Sequence, residues 1–183
     1  MGLAGEDGVA AYGVIMYVNF IFIAIFIGYS MGSAPIVSYH YGAQNHGEMQ
    51  NLFRKSMILV GITGAVMVLL SELLALPLTA IFVGYDEVLL ALTCRGFMIY
   101  SVSFLATGVN IFGSAFFTAL GDGLVSALIS FLRTLLFQVV AVLALPLLLG
   151  VDGIWWAIVA AETGAMMVTF AFLAKNRKKY HYI

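Results

Sequence analysis

The sequence predicts an all-α integral membrane protein with about five transmembrane helices, and three observations lead to this prediction. Of the 183 residues, 63% are apolar and only 9% are charged, and the mean hydropathy is +1.06. So few charges could not cover the surface of a soluble domain of this length. The apolar residues also form long stretches, and a hydrocarbon core about 30 Å thick requires about 20 such residues per helix. Because backbone groups in lipid must be hydrogen-bonded within the segment, we expect these stretches to be helical.

Polar clusters divide the chain into the predicted spans. The five apolar stretches cover residues 8–39, 56–83, 88–120, 124–149 and 154–174. The segment between the first two, residues 40–55, is predicted to be a loop, and the other connections are short turns that contain glycine. Each stretch is expected to form one helix, and the longest ones are expected to tilt or to project beyond the bilayer.

The distribution of basic residues predicts the orientation in the membrane. With five spans the two termini lie on opposite faces, and one face collects Arg54, Lys55 and the basic tail at 175–179. That face is predicted to be cytoplasmic, because Lys and Arg are enriched in cytoplasmic loops. The chain is then a multi-pass protein of the plasma membrane with an external N-terminus. An external N-terminus without a signal peptide leads us to expect a further helix upstream.

The sequence offers little support for an enzyme. Gly28, Ser30 and Gly32 form the G-x-S-x-G pattern of a serine nucleophile, but they lie inside an apolar stretch without a histidine at the same depth. The same glycines form G-x-x-x-G, which allows helices to approach closely, and we favour this structural interpretation. The single Cys94 excludes a disulfide framework, and the net charge of −1 does not indicate nucleic acid binding. We predict no catalytic residues, no metal site and no cofactor.

Four ionisable side chains are predicted to lie at membrane depth, and these are Glu72, Arg95, Arg133 and Glu162. Each costs about 2.5 to 3.5 kcal/mol at the centre of a membrane helix, so a charge there suggests a function by default. Arg95 is close enough to the external end to extend to the surface. Glu162 lies between small residues and is interpreted as a substrate or coupling-ion group or as a structural partner of Arg133. Glu72 is interpreted as a structural pairing residue.

Polar side chains of the third stretch share one predicted helix face, and these are Thr107, Asn110, Ser114 and Thr118. They either line a polar cavity or form hydrogen bonds between helices. Gln138 in the fourth stretch allows the same two interpretations. We therefore add Thr107, Asn110 and Gln138 to Glu162 as candidates for binding a substrate or a coupling ion.

A motif near the end of the first stretch resembles a known family. Residues 38–45 read Ser-Tyr-His-Tyr-Gly-Ala-Gln-Asn and follow Gly-Ser-Ala-Pro at 32–35. They resemble the multidrug and toxic compound extrusion (MATE) family of cation antiporters, in which a helix ends in a comparable Pro-x-x-x-Tyr-x-Tyr-Gly-Ala-x-Asn segment. Further matches follow in order over nearly the whole chain, at residues 81–82, 86–88, 116–121, 130–133, 145–146, 153–155 and 161–162.

The resemblance implies both a fold and a function. The resemblance implies that members of the family have twelve helices in two lobes. This chain resembles helices eight to twelve, which form the second lobe without its first helix. It implies secondary active export of drugs or organic cations by Na⁺ or H⁺ antiport, with alternating access between the lobes. The expected partners are the organic cation or other small-molecule substrate, membrane lipid, and the missing N-terminal lobe with the seventh helix.

Some positions depart from the family pattern. Ala34 and Thr118 stand where many members have Gln. Some bacterial members carry a coupling acid on the tenth helix, whereas the matching helix here has only neutral polar residues such as Asn110. The resemblance therefore leaves Na⁺ and H⁺ open as coupling ions. Two alternatives also stay open. A lipid-linked saccharide flippase is expected to line its cavity with more basic residues, and a non-transporting membrane fragment or scaffold is the other.

Overall fold

A computed structural model describes residues 5–183 of the chain. Its α-helices are α1 (Gly5–Gly42), α2 (His46–Val83), α3 (Glu87–Ser101), α4 (Phe104–Ala119), α5 (Gly123–Phe131), α6 (Gln138–Leu149) and α7 (Asp152–Tyr180). A π-helical turn, Leu132–Phe137, joins α5 directly to α6. The predicted all-α fold is therefore confirmed.

The number of spans agrees with the sequence. Four helical segments are long and apolar enough to cross a membrane, namely α1, α2, α5 continued into α6, and α7. The pair of α3 and α4, bent by 47° at its break, makes a fifth span when it is counted as one. The described part of the chain thus has four to five candidate spans, where about five were predicted.

The segment 40–55 is not the loop that was predicted. α1 continues to Gly42 and α2 begins at His46, so the connection is short. Asn45 caps α2, because its side chain accepts a hydrogen bond from the backbone N–H of Glu48 at 3.2 Å. Since 38 residues extend about 57 Å at a rise of 1.5 Å each, α1 and α2 are longer than the hydrocarbon core is thick. The polar residues at 46–55 therefore extend a membrane helix.

The third predicted stretch, 88–120, is a bent pair of helices and not the single helix expected. Next to the bend, Ser101 donates its hydroxyl to the carbonyl of Met98 at 2.7 Å, and Thr107 donates to the carbonyl of Ser103 at 2.9 Å. Side-chain hydrogen bonds to the preceding turn perturb the backbone hydrogen bonds and bend a helix. The apolar pattern did not reveal the bend, because the chain has no proline there and the two serines, Ser101 and Ser103, did not interrupt the apolar stretch.

An aromatic cluster packs the C-terminal half of α4 against the N-terminal part of α2. Its rings belong to Phe53, Phe112, Phe116 and Tyr182, with centroids 5.0 to 5.7 Å apart for the closest pairs. Tyr182 is buried, and its hydroxyl donates to the carbonyl of Leu173 at 2.6 Å. This packing fixes the C-terminal half of α4 relative to α2 and α7.

α7 packs against α4 at Gly113. A Cβ atom at Gly113 would be only 2.4 Å from Cγ2 of Thr169, so only glycine fits there without a shift of the Thr169 side chain or of α7. Small residues are the usual means by which membrane helices approach closely. The contact brings polar side chains of α4 and α7 within hydrogen-bonding distance of each other.

Candidate functional site

Arg133 and Glu162 form an ion pair inside the bundle. Nε of Arg133 donates to Oε1 and Oε2 of Glu162 at 2.8 and 3.0 Å. The two side chains are 22% and 12% exposed, so both charges are largely withdrawn from the surroundings of the chain. Because an isolated charge inside a membrane is costly, each group compensates the charge of the other.

Asn110 holds Glu162 from the α4 side. Its Nδ2 donates to Oε2 of Glu162 at 2.8 Å and to the backbone carbonyl of the same residue at 3.0 Å. Its Oδ1 accepts a hydrogen bond from the hydroxyl of Thr169 at 2.9 Å. The amide is fully buried, and the bonds at both of its ends fix its orientation. We call Arg133, Glu162, Asn110 and Thr169 the polar cluster.

The π-helical turn places Arg133 in front of α7. Arg133 is the second residue of this turn, in which none of the side chains is buried. Phe137, the last residue of the turn, lies against Gly164, where a Cβ atom would meet the aromatic ring at 3.2 Å. Single π turns inside α-helices occur frequently at functional sites, so this local geometry supports a role for Arg133.

Two clefts open near the polar cluster, and Gln138 lines both. The larger one, of about 430 Å³, lies between α1, α6 and α7 and is lined by Tyr12, Gln138 and Ile158 together with other apolar residues. Ile158 precedes Glu162 by one helical turn on the same face of α7, although none of the four residues of the polar cluster lines this cleft. The smaller cleft, of about 350 Å³, is lined by Thr134 and Gln138 with three apolar side chains.

Other residues singled out in the sequence lie outside the polar cluster. Thr107 is buried and donates to its own helix. Glu72 is exposed and accepts a hydrogen bond from the hydroxyl of Ser101 at 3.1 Å, and no basic side chain in the described part of the chain forms an ion pair with it. Arg95 forms an ion pair with Asp152 at the start of α7. The roles predicted for Thr107 and Glu72 stay predictions.

The polar face of α4 divides between two neighbours. Asn110 faces α7, whereas Ser114 makes hydrogen bonds at 2.9 Å with the hydroxyls of Ser126 and Ser130. Thr118 makes one at 2.7 Å with the hydroxyl of Ser126. Ser114 and Thr118 therefore link helices, which is one of the two interpretations that the sequence allowed.

In the described part of the chain, the serine of the G-x-S-x-G segment has no partner that could activate it as a nucleophile. Ser30 is buried, and its hydroxyl has no hydrogen-bond partner there. A Cβ atom at Gly28 or Gly32 would meet no atom within 4 Å, so the close helix packing that this pattern predicts is not formed with the described part of the chain.

Sequence reasoning missed a second polar site, at the start of α5. Asp122 accepts hydrogen bonds from the hydroxyl of Tyr180 at 2.5 Å, from Nζ of Lys179 at 3.2 Å and from the backbone N–H of Val125 at 3.3 Å. The hydrogen bond from Tyr180, above all, holds the pKa of Asp122 below its ordinary value. The partners are 57 and 58 residues apart in sequence, so no local pattern joins them.

Long apolar helices around one ion pair define this chain as a multi-pass membrane protein with a polar site between its helices. The MatE family model matches residues 1–143, and the chain belongs to this family. The resemblance found in the sequence is thereby confirmed. None of the curated proteins matches the sequence.

Solved structures of MATE transporters share the fold. A MATE structure in complex with MaL6 has a TM-score of 0.88 at 21% identity and covers 99% of this chain and 41% of that one. An outward-facing multidrug resistance MATE transporter has a TM-score of 0.90 at 21% identity, and the match covers 97% of this chain and 40% of that transporter. The Vibrio cholerae MATE transporter VcmN in the bent form has a TM-score of 0.89 at 19% identity, and the match covers 96% of this chain and 40% of that transporter. The chain thus has the fold of a partial transporter lobe and spans about 40% of the length of these structures.

Proposed function

We propose that this chain is part of a MATE exporter that moves drugs or organic cations across the plasma membrane in exchange for Na⁺ or H⁺. The observation that carries the proposal is the carboxylate of Glu162, which is held inside a bundle of apolar helices by Arg133 and Asn110. The family to which the chain belongs supports the same conclusion. In this proposal Glu162 is the group for which substrate and coupling ion compete.

The chemistry of the site supports competition of this kind. A cation that enters a membrane protein needs a compensating charge, and one carboxylate compensates only one monovalent cation at a time. A bound coupling ion therefore excludes the organic cation, and exchange of the two on opposite sides of the membrane couples their movements. In the larger cleft, the ring of Tyr12 and the amide of Gln138 offer aromatic and neutral polar contacts to a lipophilic cation.

Alternating access requires more helices than this chain contains. We propose that its partners are a first lobe and a seventh helix, which together would form the rest of a two-lobe transporter around a central cavity. The chain spans about 40% of the matched structures, which supports this proposal. The basic tail at 175–179 would face the cytoplasm, because Lys and Arg are enriched in cytoplasmic segments. The loop at 43–45 would lie on the same side, because Arg54 and Lys55 follow it.

The charges of the site argue against a flippase for anionic lipid-linked saccharides, which is expected to line its cavity with more basic residues. Arg95 and Arg133, the two arginines within the predicted spans, are each paired with an acid. Pairing leaves little free positive charge to hold a phosphate group. The flippase therefore remains the less favoured alternative.

Replacement of one carboxylate tests the proposal in the assembled transporter, meaning this chain together with the first lobe and the seventh helix. Glu162→Gln should abolish gradient-driven export of a fluorescent lipophilic cation while folded protein stays at normal abundance. The matched control is Glu72→Gln, which removes an exposed carboxylate that is bonded only to a serine hydroxyl. Unchanged export by Glu162→Gln would contradict the proposal, and loss of folded protein would favour a purely structural ion pair.

A further inference from the structure

We propose that Arg133 is a built-in competitor for the Glu162 carboxylate. Its guanidinium occupies the carboxylate in the empty site, and a substrate cation or coupling ion binds by displacing it. Arg133 is then a specificity-determining residue, because only a positively charged ligand can replace a guanidinium without leaving Glu162 uncompensated. This inference rests on the proposed function, in which Glu162 binds the transported cations, and adds the element that keeps the site closed to neutral molecules.

The bond between Arg133 and Glu162 is of a replaceable kind. Both hydrogen bonds come from Nε, and the two terminal nitrogens of the guanidinium make none with the described residues. A structural arginine usually binds a carboxylate with two parallel hydrogen bonds from two different nitrogens, which is the stronger arrangement. The guanidinium of Arg133 therefore compensates the charge of Glu162 without the full set of contacts available to it.

The carboxylate does not depend on Arg133 for its position. Asn110 holds Glu162 through two hydrogen bonds, one to the carboxylate and one to the backbone, and Thr169 in turn fixes the amide of Asn110. Asn110 and Thr169 are both 0% exposed, so their hydrogen bonds are shielded from competing solvent. When the guanidinium leaves, Glu162 stays in place as an oriented carboxylate that can accept another cation.

The segment that carries Arg133 is only partly covered by the described residues. No side chain of the π turn is buried, and the cleft lined by Thr134 and Gln138 opens beside it. A π turn holds one residue more than an α-helical turn, so its conversion to α-helix would rotate Arg133 by about 100° about the helix axis relative to α6. The cleft beside the turn offers polar groups, the hydroxyl of Thr134 and the amide of Gln138.

Binding of tetraphenylphosphonium to the assembled transporter in lipid nanodiscs tests this inference. Measurement at mildly alkaline pH limits competition from protons. If the guanidinium occupies the site in about nine of ten empty molecules, Arg133→Gln should tighten binding about tenfold. Arg133→Lys keeps the competing charge and should bind more weakly than Arg133→Gln. The matched control is Arg95→Gln, which breaks a different arginine–carboxylate pair and should leave the affinity unchanged.

The outcomes separate this inference from the proposed function. If Glu162→Gln does not weaken binding, the proposed role of Glu162 fails. If Glu162→Gln weakens binding but Arg133→Gln does not tighten it, the role of Glu162 survives and the competitor is refuted. Equal affinities of Arg133→Gln and Arg133→Lys would also refute it, because the charge at this position would then have no effect.

A second measurement uses the unaltered protein and does not depend on how the variants fold. Phenylglyoxal modifies exposed guanidinium groups, and peptide mass spectrometry gives the extent of modification at each arginine. Saturating tetraphenylphosphonium should increase modification of Arg133 several-fold, because the ligand frees its guanidinium, while Arg95 serves as the internal reference. Unchanged or reduced modification of Arg133 would overturn the inference.

Discussion

Thr169 packs its methyl group against Gly113 and donates its hydroxyl to Oδ1 of Asn110 at 2.9 Å. One side chain thus sets both the distance between α4 and α7 and the orientation of the amide that holds Glu162. Helix packing and the geometry of the polar cluster are therefore linked. A change in the spacing of the two helices has to move Asn110 relative to the carboxylate.

The first prediction concerns this helix contact. Gly113→Ala should lower the midpoint of thermal unfolding, because the new methyl group would lie 2.4 Å from Cγ2 of Thr169. Overpacking of this kind typically costs about 1 to 3 kcal/mol. The matched control is Gly28→Ala, where no atom lies within 4 Å and the same gain in helix propensity is expected. Equal midpoints for the two variants in detergent would contradict the prediction.

The helices were predictable from the sequence, whereas most contacts between them were not. The pairing of Arg133 with Glu162, which the sequence suggested, is the exception. Long apolar stretches predict spans because only helices satisfy the backbone in lipid. The start of α2 was predicted wrongly, because the polar residues at 46–55 suggested a loop. In the structure Asn45 caps α2, and these residues form its first turns. The bend between α3 and α4 was missed because side-chain hydrogen bonds produce it, and composition does not record them.

The candidate site was predictable only in its charges. Glu162 and Arg133 drew attention because ionisable groups are rare inside membranes. Thr169 was missed, since threonine is common in membrane helices and its partner Asn110 is 59 residues away in sequence. Its spacing of seven residues from Glu162, two helical turns on the same face, was the available signal.

The second prediction concerns topology. Single cysteines at Asn45, Asp86 and Lys178 on a Cys94→Ser background would all lie at exposed positions. In intact cells an impermeant thiol reagent should label only the cysteine at Asp86, because the basic residues predict that the other two face the cytoplasm. Permeabilised cells, in which all three should react, are the control. Labelling at Asn45 or Lys178 without labelling at Asp86 would reverse the orientation.

The third prediction concerns pH. Hydrogen bonds from Tyr180, the backbone of Val125 and Lys179 hold the pKa of Asp122 below its ordinary value, so the folded state favours the charged carboxylate. A carboxyl group with a lowered pKa stabilises the fold above its unfolded pKa of about 4, and this stabilisation is lost as the pH falls through the lower, folded pKa. Asp122→Asn should therefore remove part of the acid-induced fall in stability.

Thermal unfolding in detergent between about pH 2 and 7 measures this effect. The control is Glu87→Gln, which removes an exposed carboxylate in the first turn of another helix. We expect the Asp122→Asn curve to be flatter at the acidic end than the curves of the original protein and of Glu87→Gln. A curve for Asp122→Asn that runs parallel to the original would show that Asp122 contributes nothing to acid stability.

The last prediction is that this chain alone exports nothing, although it inserts into membranes. By the proposed function, alternating access requires a second lobe against which this one moves. The chain spans about 40% of the matched transporters, and its face at Gly28 and Gly32 packs against none of the described residues. Exposure of such a face to lipid favours self-association over a stable monomer, which size-exclusion chromatography in detergent would detect.

Reconstitution in liposomes tests this last prediction directly. The purified chain is placed under a Na⁺ or H⁺ gradient with a fluorescent lipophilic cation as reporter, and no gradient-dependent uptake is expected. Supply of the first lobe and the seventh helix should restore uptake, and Glu162→Gln in that assembly should abolish it again. Without this restoration, absence of uptake by the chain alone would equally describe a non-transporting scaffold. Uptake by the chain alone that vanishes when the gradient is collapsed would refute the prediction, because copies of this chain would then have to supply both moving bodies themselves.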